Sequence, residues 1–313
     1  MAFSETGKVW MNGSLVEWKN ATMHVATHAL HYGTGVFEGI RAYKSKTGSN
    51  IFRLQPHMRR LMDSCRIYRM DPGYTQQALT DAVVETVRVN AYPSCYIRPL
   101  VYRSYEQLGV NPLPCPVDTA IVVFEWGAYL GAEALEQGVD VGVSSWTRMA
   151  PNTLPALAKA TANYANSGLI KMQASLDGYA EGIALDANGL LSEGSGQNLF
   201  LVREGIIYTP SLASSVLQGI TRDTVLTLAK DLGYEVREQP LPREFLYMAD
   251  EAFFCGTAVE VTPIRSVDKI QVGNGARGPI TEAIQSRFFG IINGELPDTH
   301  GWLTPVGALV NAS

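Results

Sequence analysis

Lys159 stands in Leu157-Ala158-Lys159-Ala160-Thr161-Ala162, a run with no other charge. Small apolar neighbours strip water from an ammonium, lower its pKa and yield a neutral amine able to attack a carbonyl. The same lysine could instead snorkel from a helix into solvent. Glu193 lies in Leu191-Ser192-Glu193-Gly194-Ser195-Gly196-Gln197-Asn198, where glycines and small polar residues allow a ligand close to a carboxylate. A solvated loop glutamate would look the same. Leu217-Gln218-Gly219-Ile220-Thr221-Arg222-Asp223 is a glycine turn running into a helix start. Its unpaired N–H groups and the positive end of the helix dipole suit a phosphate, although an ordinary cap reads alike. Gly256-Thr257-Ala258 could add a second set of N–H groups.

Two further patterns carry less. Gly273-Asn274-Gly275-Ala276-Arg277-Gly278 fits G-x-G-x-x-G but leaves too little chain for a nucleotide-binding half to follow, so it reads as a turn. His24, His28 and His31 have the spacing of a metal set, yet no H-E-x-x-H accompanies them and the stretch is not clearly helical. Structural histidines, and no metal, are expected.

These groups must be held by a sizeable core. The chain has 313 residues, 46% hydrophobic and 18% charged, which excludes disorder. A net charge of -5 disfavours a nucleic-acid backbone or an anionic membrane surface. No apolar run approaches the ~20 residues of a membrane span, and Met1 to Gly13 has no secretory h-region. The 4 cysteines are scattered without CxxC spacing, which fits a reducing, cytoplasmic setting.

Asn12-Gly13 turns a hairpin between Val9–Met11 and Leu15–Val16. Phe37 to Tyr43 reads as a strand, and Met58, Leu61, Met62 and Cys65 recur at helical spacing after Pro56. Thr75 and Thr221 are expected helix caps. Leu154 to Ala174 reads as mostly helical, and hairpins are expected at Asn188-Gly189 and Glu204-Gly205. Strands alternate with helices, but the hairpins argue against a purely parallel sheet. The expectation is two α/β domains of mixed sheets, 1–128 and 136–313, joined by a linker at 129–135.

Several ordered motifs together resemble the branched-chain amino acid aminotransferases, pyridoxal-phosphate enzymes of fold type IV. They are His28-Ala29-Leu30-His31-Tyr32-Gly33, Val36-Phe37-Glu38-Gly39-Ile40-Arg41, Tyr96-Ile97-Arg98-Pro99, Gly109-Val110-Asn111-Pro112, Trp126-Gly127-Ala128-Tyr129-Leu130-Gly131, Glu193 to Phe200, and Gly256 to Glu260. The resemblance covers nearly the whole chain and implies an active site at the domain interface. It implies that Lys159 forms the internal Schiff base, that Glu193 keeps the pyridine nitrogen protonated, and that Tyr164 donates to the ring's phenolic oxygen. Arg60, with the Ile220-Thr221 turn and Thr257, would bind the phosphate. Arg59 is the competing neighbour, since a helix turns ~100° per residue and only one can face the site.

By the same resemblance Tyr32, Phe37, Trp126 and Tyr129 form apolar walls. Arg98 serves the distal carboxylate of glutamate. Tyr96, Arg41 and the Thr257-Ala258 backbone hold the α-carboxylate, and Gly39 leaves room on the floor. The implied reaction moves an amino group between branched-chain L-amino acids and 2-oxoglutarate in ping-pong fashion. The implied assembly is a homodimer or higher oligomer, with Tyr32 and the Leu108-Gly109-Val110 loop reaching the neighbour's pocket. Departures are Thr161-Ala162, where the family commonly has glycines, and Leu108, where bacterial relatives often have Met. A D-amino acid or (R)-amine transaminase is the alternative within the fold, opposed by Arg98 and Tyr32. A lyase of the aminodeoxychorismate type need not accommodate two amino acids. A non-catalytic metabolite binder would not need Lys159.

Overall fold

The computed structural model describes residues 6–127, 130–131 and 133–309, so Tyr129 lies outside the described residues. In chain order the strands are Lys8–Met11 (β1), Ser14–Glu17 (β2), Gly35–Phe37 (β3), Ile40–Ser45 (β4), Gly48–Phe52 (β5), Cys95–Arg103 (β6), Val117–Phe124 (β7) and Val139–Val143 (β8). They continue as Glu181–Leu185 (β9), Leu191–Gly194 (β10), Asn198–Arg203 (β11), Ile206–Thr209 (β12), Val236–Glu238 (β13), Glu251–Gly256 (β14), Glu260–Val267 (β15), Ile270–Gln271 (β16) and Leu303–Pro305 (β17). The helices are His28–Tyr32 (α1), Leu54–Ile67 (α2), Gln76–Asn90 (α3), Ala134–Gln137 (α4), Asn163–Leu176 (α5), Ile220–Asp231 (α6), Phe245–Met248 (α7) and Pro279–Ile292 (α8).

The chain divides into two compact units. The first comprises Met1–Trp126, Ala158–Ala162 and Gly290–Ser313; the second comprises Gly127–Leu157 and Asn163–Phe289. This differs from the continuous 1–128 and 136–313 division expected from sequence, because two later pieces of chain pack with the first. One is the lysine-bearing segment and the other contains β17.

The first unit is built on an antiparallel sheet in the order β17-β5-β4-β6-β7-β1-β2, with β3 also on β6. The second has a mixed sheet, β10-β9-β8-β15-β14-β11-β12-β13, with β16 on β15. Its parallel pairs are β8 with β9, β8 with β15, and β12 with β13. The fold is α/β with mixed organisation. Each unit has its own apolar core, that of the first around Ile40, Ile51, Leu54, Met58, Leu61 and Ile97. Burying a side chain of this kind contributes ~1.5–3 kcal/mol.

The helical spacing of Met58, Leu61 and Cys65 is the buried face of α2, but that face also carries His57 and Ser64. Thr75 caps α3, its hydroxyl accepting the Ala78 N–H at 3.1 Å. Thr221 does not cap α6. Gly219 occupies that position and Thr221 lies inside the first turn. The strand expected over Phe37 to Tyr43 breaks at Glu38-Gly39. The helix expected from Leu154 begins only at Asn163, since the residues before it bond to β3 instead.

Candidate active site

The lysine segment is held by backbone bonds rather than by a helix. Phe37 N–H donates to the Lys159 carbonyl at 2.9 Å, Thr161 N–H donates to the Gly35 carbonyl at 2.9 Å, and Val36 and Ala160 form an antiparallel bridge. From α2, Ser64 Oγ accepts the Lys159 N–H at 3.1 Å. The Thr161 hydroxyl donates to the Gly33 carbonyl at 2.8 Å and accepts the Gly35 N–H at 3.2 Å. The β-branched Thr161 thus fastens this segment to Gly33 and to the start of β3. Lys159 Nζ stands 5.2 Å from the centre of the Phe37 ring.

The same ring carries a second cation. Arg98 Cζ lies 4.6 Å from the Phe37 centroid and 5.4 Å from that of Tyr96. Period two along β6 puts Tyr96 and Arg98 on one face. Arg98 Nε is buried without a hydrogen-bond partner among the described residues. Tyr96 packs on Trp126 at 4.4 Å and stands opposite Arg41 in the β4–β6 register. Gly39 has a specific reason to be glycine, since a Cβ there would fall 2.0 Å from the Tyr96 hydroxyl oxygen. The space it leaves is filled by that hydroxyl. Tyr32 stacks on His28 at 4.5 Å and is exposed, while Val110 is 87% exposed. His28 Nε2 bonds the Gly109 carbonyl at 2.7 Å and its Nδ1 bonds Thr34, so its ring nitrogens are engaged locally. Among the described residues no group of three or more His, Cys, Asp or Glu could hold a metal.

Arg60 and Arg59 separate clearly. The Arg59 side chain is 72% exposed and pairs with Asp63. The Arg60 side chain is 11% exposed and points to Glu38, donating from Nε at 2.6 Å and from Nη2 at 2.8 Å. His57 Nδ1 meets the same carboxylate at 2.7 Å. Burial alone would push the Glu38 carboxyl up, but Arg60 and then His57 hold it well below the usual carboxylate range. Burial drives the His57 ring below its ordinary value against the opposing pull of Glu38. A neutral ring beside an ionised carboxylate must donate from Nδ1.

In the second unit Glu193, on β10, is equally enclosed. Its Oε1 pairs with Arg148 Nη2 at 2.8 Å, and its Oε2 accepts from Asn198 Nδ2 at 3.1 Å and Leu217 N at 3.0 Å. Arg148 Nη1 in turn donates to Asn166 and Ser167. Asn198 also donates to the Leu217 carbonyl, tying β11 to the turn before α6. A Cβ on Gly219 would meet Asn198 Oδ1 at 1.9 Å, which makes glycine the residue that fits there. Ile220 and Thr221 open α6, whose first N–H groups have no partner within the helix. Asn198 pairs across with Cys255, which puts Gly256 beside Gln197, and Thr257 and Ala258 follow Gly256 in the chain. Tyr164 lies in the first turn of α5.

The residues expected from sequence therefore fall into two sets. Arg60, Lys159 and the substrate candidates Phe37, Gly39, Arg41, Tyr96, Arg98 and Trp126 belong to the first unit; Tyr164, Glu193, Ile220, Thr221, Thr257 and Ala258 belong to the second. Sequence reasoning missed Glu38, His57, Arg148 and Asn198 as site residues. A charged residue inside an apolar strand-like run, as at Glu38, was the available signal, because such a charge must be paired if buried.

Residues 35–267 match the family model for amino-transferase class IV. The branched-chain-amino-acid aminotransferase of Salmonella typhimurium is 53% identical over 309 residues, covering 98% of this chain and 100% of the relative. The chain belongs to the class IV aminotransferases. Among solved structures, the Escherichia coli branched-chain amino acid aminotransferase superposes with a TM-score of 0.94 at 54% identity, covering 96% of this chain and 99% of that one. The Thermobaculum terrenum branched-chain amino acid aminotransferase in its PLP-form gives a TM-score of 0.91 at 36% identity, covering 97% of this chain and 100% of that one. As a class IV aminotransferase, the chain carries an amine and a nearly buried guanidinium in its first unit, and a buried carboxylate and glycine-bounded backbone turns in its second. That donor set fits a group with an aldehyde, a basic ring nitrogen and a phosphate.

Proposed function

We propose that this class IV aminotransferase uses pyridoxal 5'-phosphate to move the amino group of branched-chain L-amino acids to 2-oxoglutarate. When bound, the cofactor supplies an aldehyde that captures amines and a ring that takes up the electrons left as the α-proton departs. Lys159 Nζ provides the nucleophile and then carries that proton. Glu193 holds a proton at the ring nitrogen, its charge maintained by Arg148, Asn198 and the Leu217 N–H. Tyr164 donates to the ring's phenolic oxygen. Arg60, the Ile220-Thr221 turn and Thr257 bind the phosphate. Tyr96, Arg41 and the Thr257-Ala258 backbone receive the α-carboxylate, with Gly39 accommodating Tyr96. Tyr32 and Trp126 complete the apolar walls.

The observation that carries the substrate reading is the Phe37 ring with Lys159 on one contact and Arg98 on another. An aromatic wall accepts leucine, isoleucine or valine side chains. The adjacent guanidinium, resting on rings and with a buried Nε in need of an acceptor, takes the distal carboxylate of glutamate. The stacking also explains how Arg98 stays in place when no anion is present.

Further support bears on assembly and location. Val25, Leu30, Leu108, Val110 and Leu113 are exposed apolar residues on two segments joined by the hydrogen bond from His28 to Gly109. Such a patch fits a second copy of the chain, with Tyr32 and Val110 completing the neighbour's pocket. Free, buried Cys65, Cys95, Cys115 and Cys255 fit a reducing cytoplasm, and among the described residues no helix is long and apolar enough to cross a membrane.

The test is a panel of amino donors against 2-oxoglutarate, followed by Arg98→Ala in each half-reaction. Leucine, isoleucine and valine should lead the panel. Arg98→Ala should lower kcat/KM for glutamate and 2-oxoglutarate by about ten- to a hundredfold, equivalent to ~1.5–3 kcal/mol, with leucine much less affected. Equal losses on both substrate types would assign Arg98 to the shared α-carboxylate or to the fold.

A further inference from the structure

Glu38 occupies the break between β3 and β4, fully enclosed, with both oxygens committed to Arg60 and one also to His57. A carboxylate is a poor choice if the only task here is to attract a phosphate. It cancels the formal charge of the arginine that would do so. What it adds is direction. A guanidinium has its N–H donors in a rigid planar fork, and Glu38 fixes the Nε–Nη2 edge, so the aim of the whole fork is set.

The neighbours of Glu38 extend this control to the lysine. The preceding residue, Phe37, binds the Lys159 carbonyl through its N–H and lies under the Lys159 amine. Helix α2, which carries Arg60 and His57, binds the Lys159 N–H through Ser64. Two adjacent residues of one strand corner therefore hold the lysine segment and the arginine, and one helix braces both.

Resting on the assignment of Arg60 to the phosphate and Lys159 to the aldehyde, we infer that Glu38 is a positioning residue. It fixes the direction in which Arg60 meets the phosphate of a phosphorylated aldehyde cofactor. It acts only through Arg60, and its reach matters as much as its charge. His57, held neutral, donates to the carboxylate and keeps it from turning.

The experiment measures release of pyridoxal phosphate from the full-length holoenzyme and, separately, binding of pyridoxal, which lacks the phosphate. The variants are Glu38→Gln, Glu38→Asp, Arg60→Ala and the double variant Glu38→Gln with Arg60→Ala. Glu38→Asp keeps the charge but withdraws it by one methylene, and it protects the test if Glu38→Gln does not fold. Both Glu38 variants should release pyridoxal phosphate at least fivefold faster while binding pyridoxal within twofold of the parent. Adding Glu38→Gln to Arg60→Ala should change release by less than twofold. Equal losses for the two ligands would make Glu38 a general brace. A full effect without Arg60, wild-type release in Glu38→Asp, or tighter phosphate binding in Glu38→Gln would each overturn the inference. An Arg60→Ala variant that still prefers pyridoxal phosphate to pyridoxal would bring down the underlying phosphate assignment itself. Lost preference there beside intact preference in the Glu38 variants would bring down the inference alone.

Discussion

In the first unit a carboxylate, Glu38, is surrounded by donors from Arg60 and His57; in the second an arginine, Arg148, is surrounded by Glu193, Asn166 and Ser167. Both clusters are buried ion pairs, and neither charge in either pair would be tolerable alone at that depth. Their roles are nonetheless reversed. Under the proposed function the acid is the support and the base faces the ligand in one, whereas the base is the support and the acid faces the ligand in the other. A carboxylate has about four acceptor positions, and Arg148, Asn198 and Leu217 take three of those on Glu193. Arg148 lies outside the motifs that identify chemistry, and Glu38 lies inside one where only its pairing with Arg60 and His57, 22 and 19 residues on, reveals its task.

The largest expected effect sets the scale for both clusters. Lys159→Ala should reduce turnover by roughly 10^4-fold or more, as removal of a nucleophile does elsewhere, while cofactor still binds without a covalent bond. Equilibrium dialysis beside a kinetic assay checks this. Near-normal turnover would mean that neither cluster serves the reaction assigned to it.

Arg148→Met should destabilise the fold by about 3–5 kcal/mol, because it strands the Glu193 carboxylate. Combining it with Glu193→Gln should restore much of that stability but not the rate. Denaturant unfolding of the single and double variants reads the first effect, and single-turnover kinetics with leucine reads the second. If the double variant is no more stable than Arg148→Met, the arginine does not serve Glu193 in the manner described.

The smallest effect concerns pH. The folded His57 value lies below its ordinary 6.5, so the unfolded chain binds the proton more readily and stability is lost as pH falls below that value. Glu38 is lowered from 4.5, so its contribution is complete above that value and is lost further into acid. Thermal melts of His57→Gln should therefore fall less steeply than those of the parent between about pH 7 and 5. Parallel slopes would show that His57 is not held neutral in the fold.

What the sequence discloses depends on the distance over which each feature is determined. The apolar spacing of α2 and the Thr75 cap are local, and both are readable. So is the turn at Gly273–Gly278, where Gly273 and Gly275 have φ of 49° and 76°. The lysine segment reads as helix from its own residues because its conformation is set by Gly33–Phe37; Thr161 and Gly35, which it joins, lie 126 residues apart. The α6 start misleads because Gly219 is fixed by its contact with Asn198 rather than by cap chemistry. Strand period places Arg98 correctly on the face of Tyr96. Its packing on the Phe37 ring, contributed by a different strand, is a contact that the period does not disclose.

Strand β17 has a consequence for how the protein is made. Leu303–Pro305 pair with β5, whose residues leave the ribosome very much earlier. At ~5–20 residues per second, the interval is roughly 10–50 s. Throughout it, the backbone of β5 on that side has no strand of its own chain to pair with, and an open edge of this kind invites pairing with other chains. The interval when the growing polypeptide is most vulnerable to association is thus written into the order of its strands, and slow translation after Phe52 would prolong it.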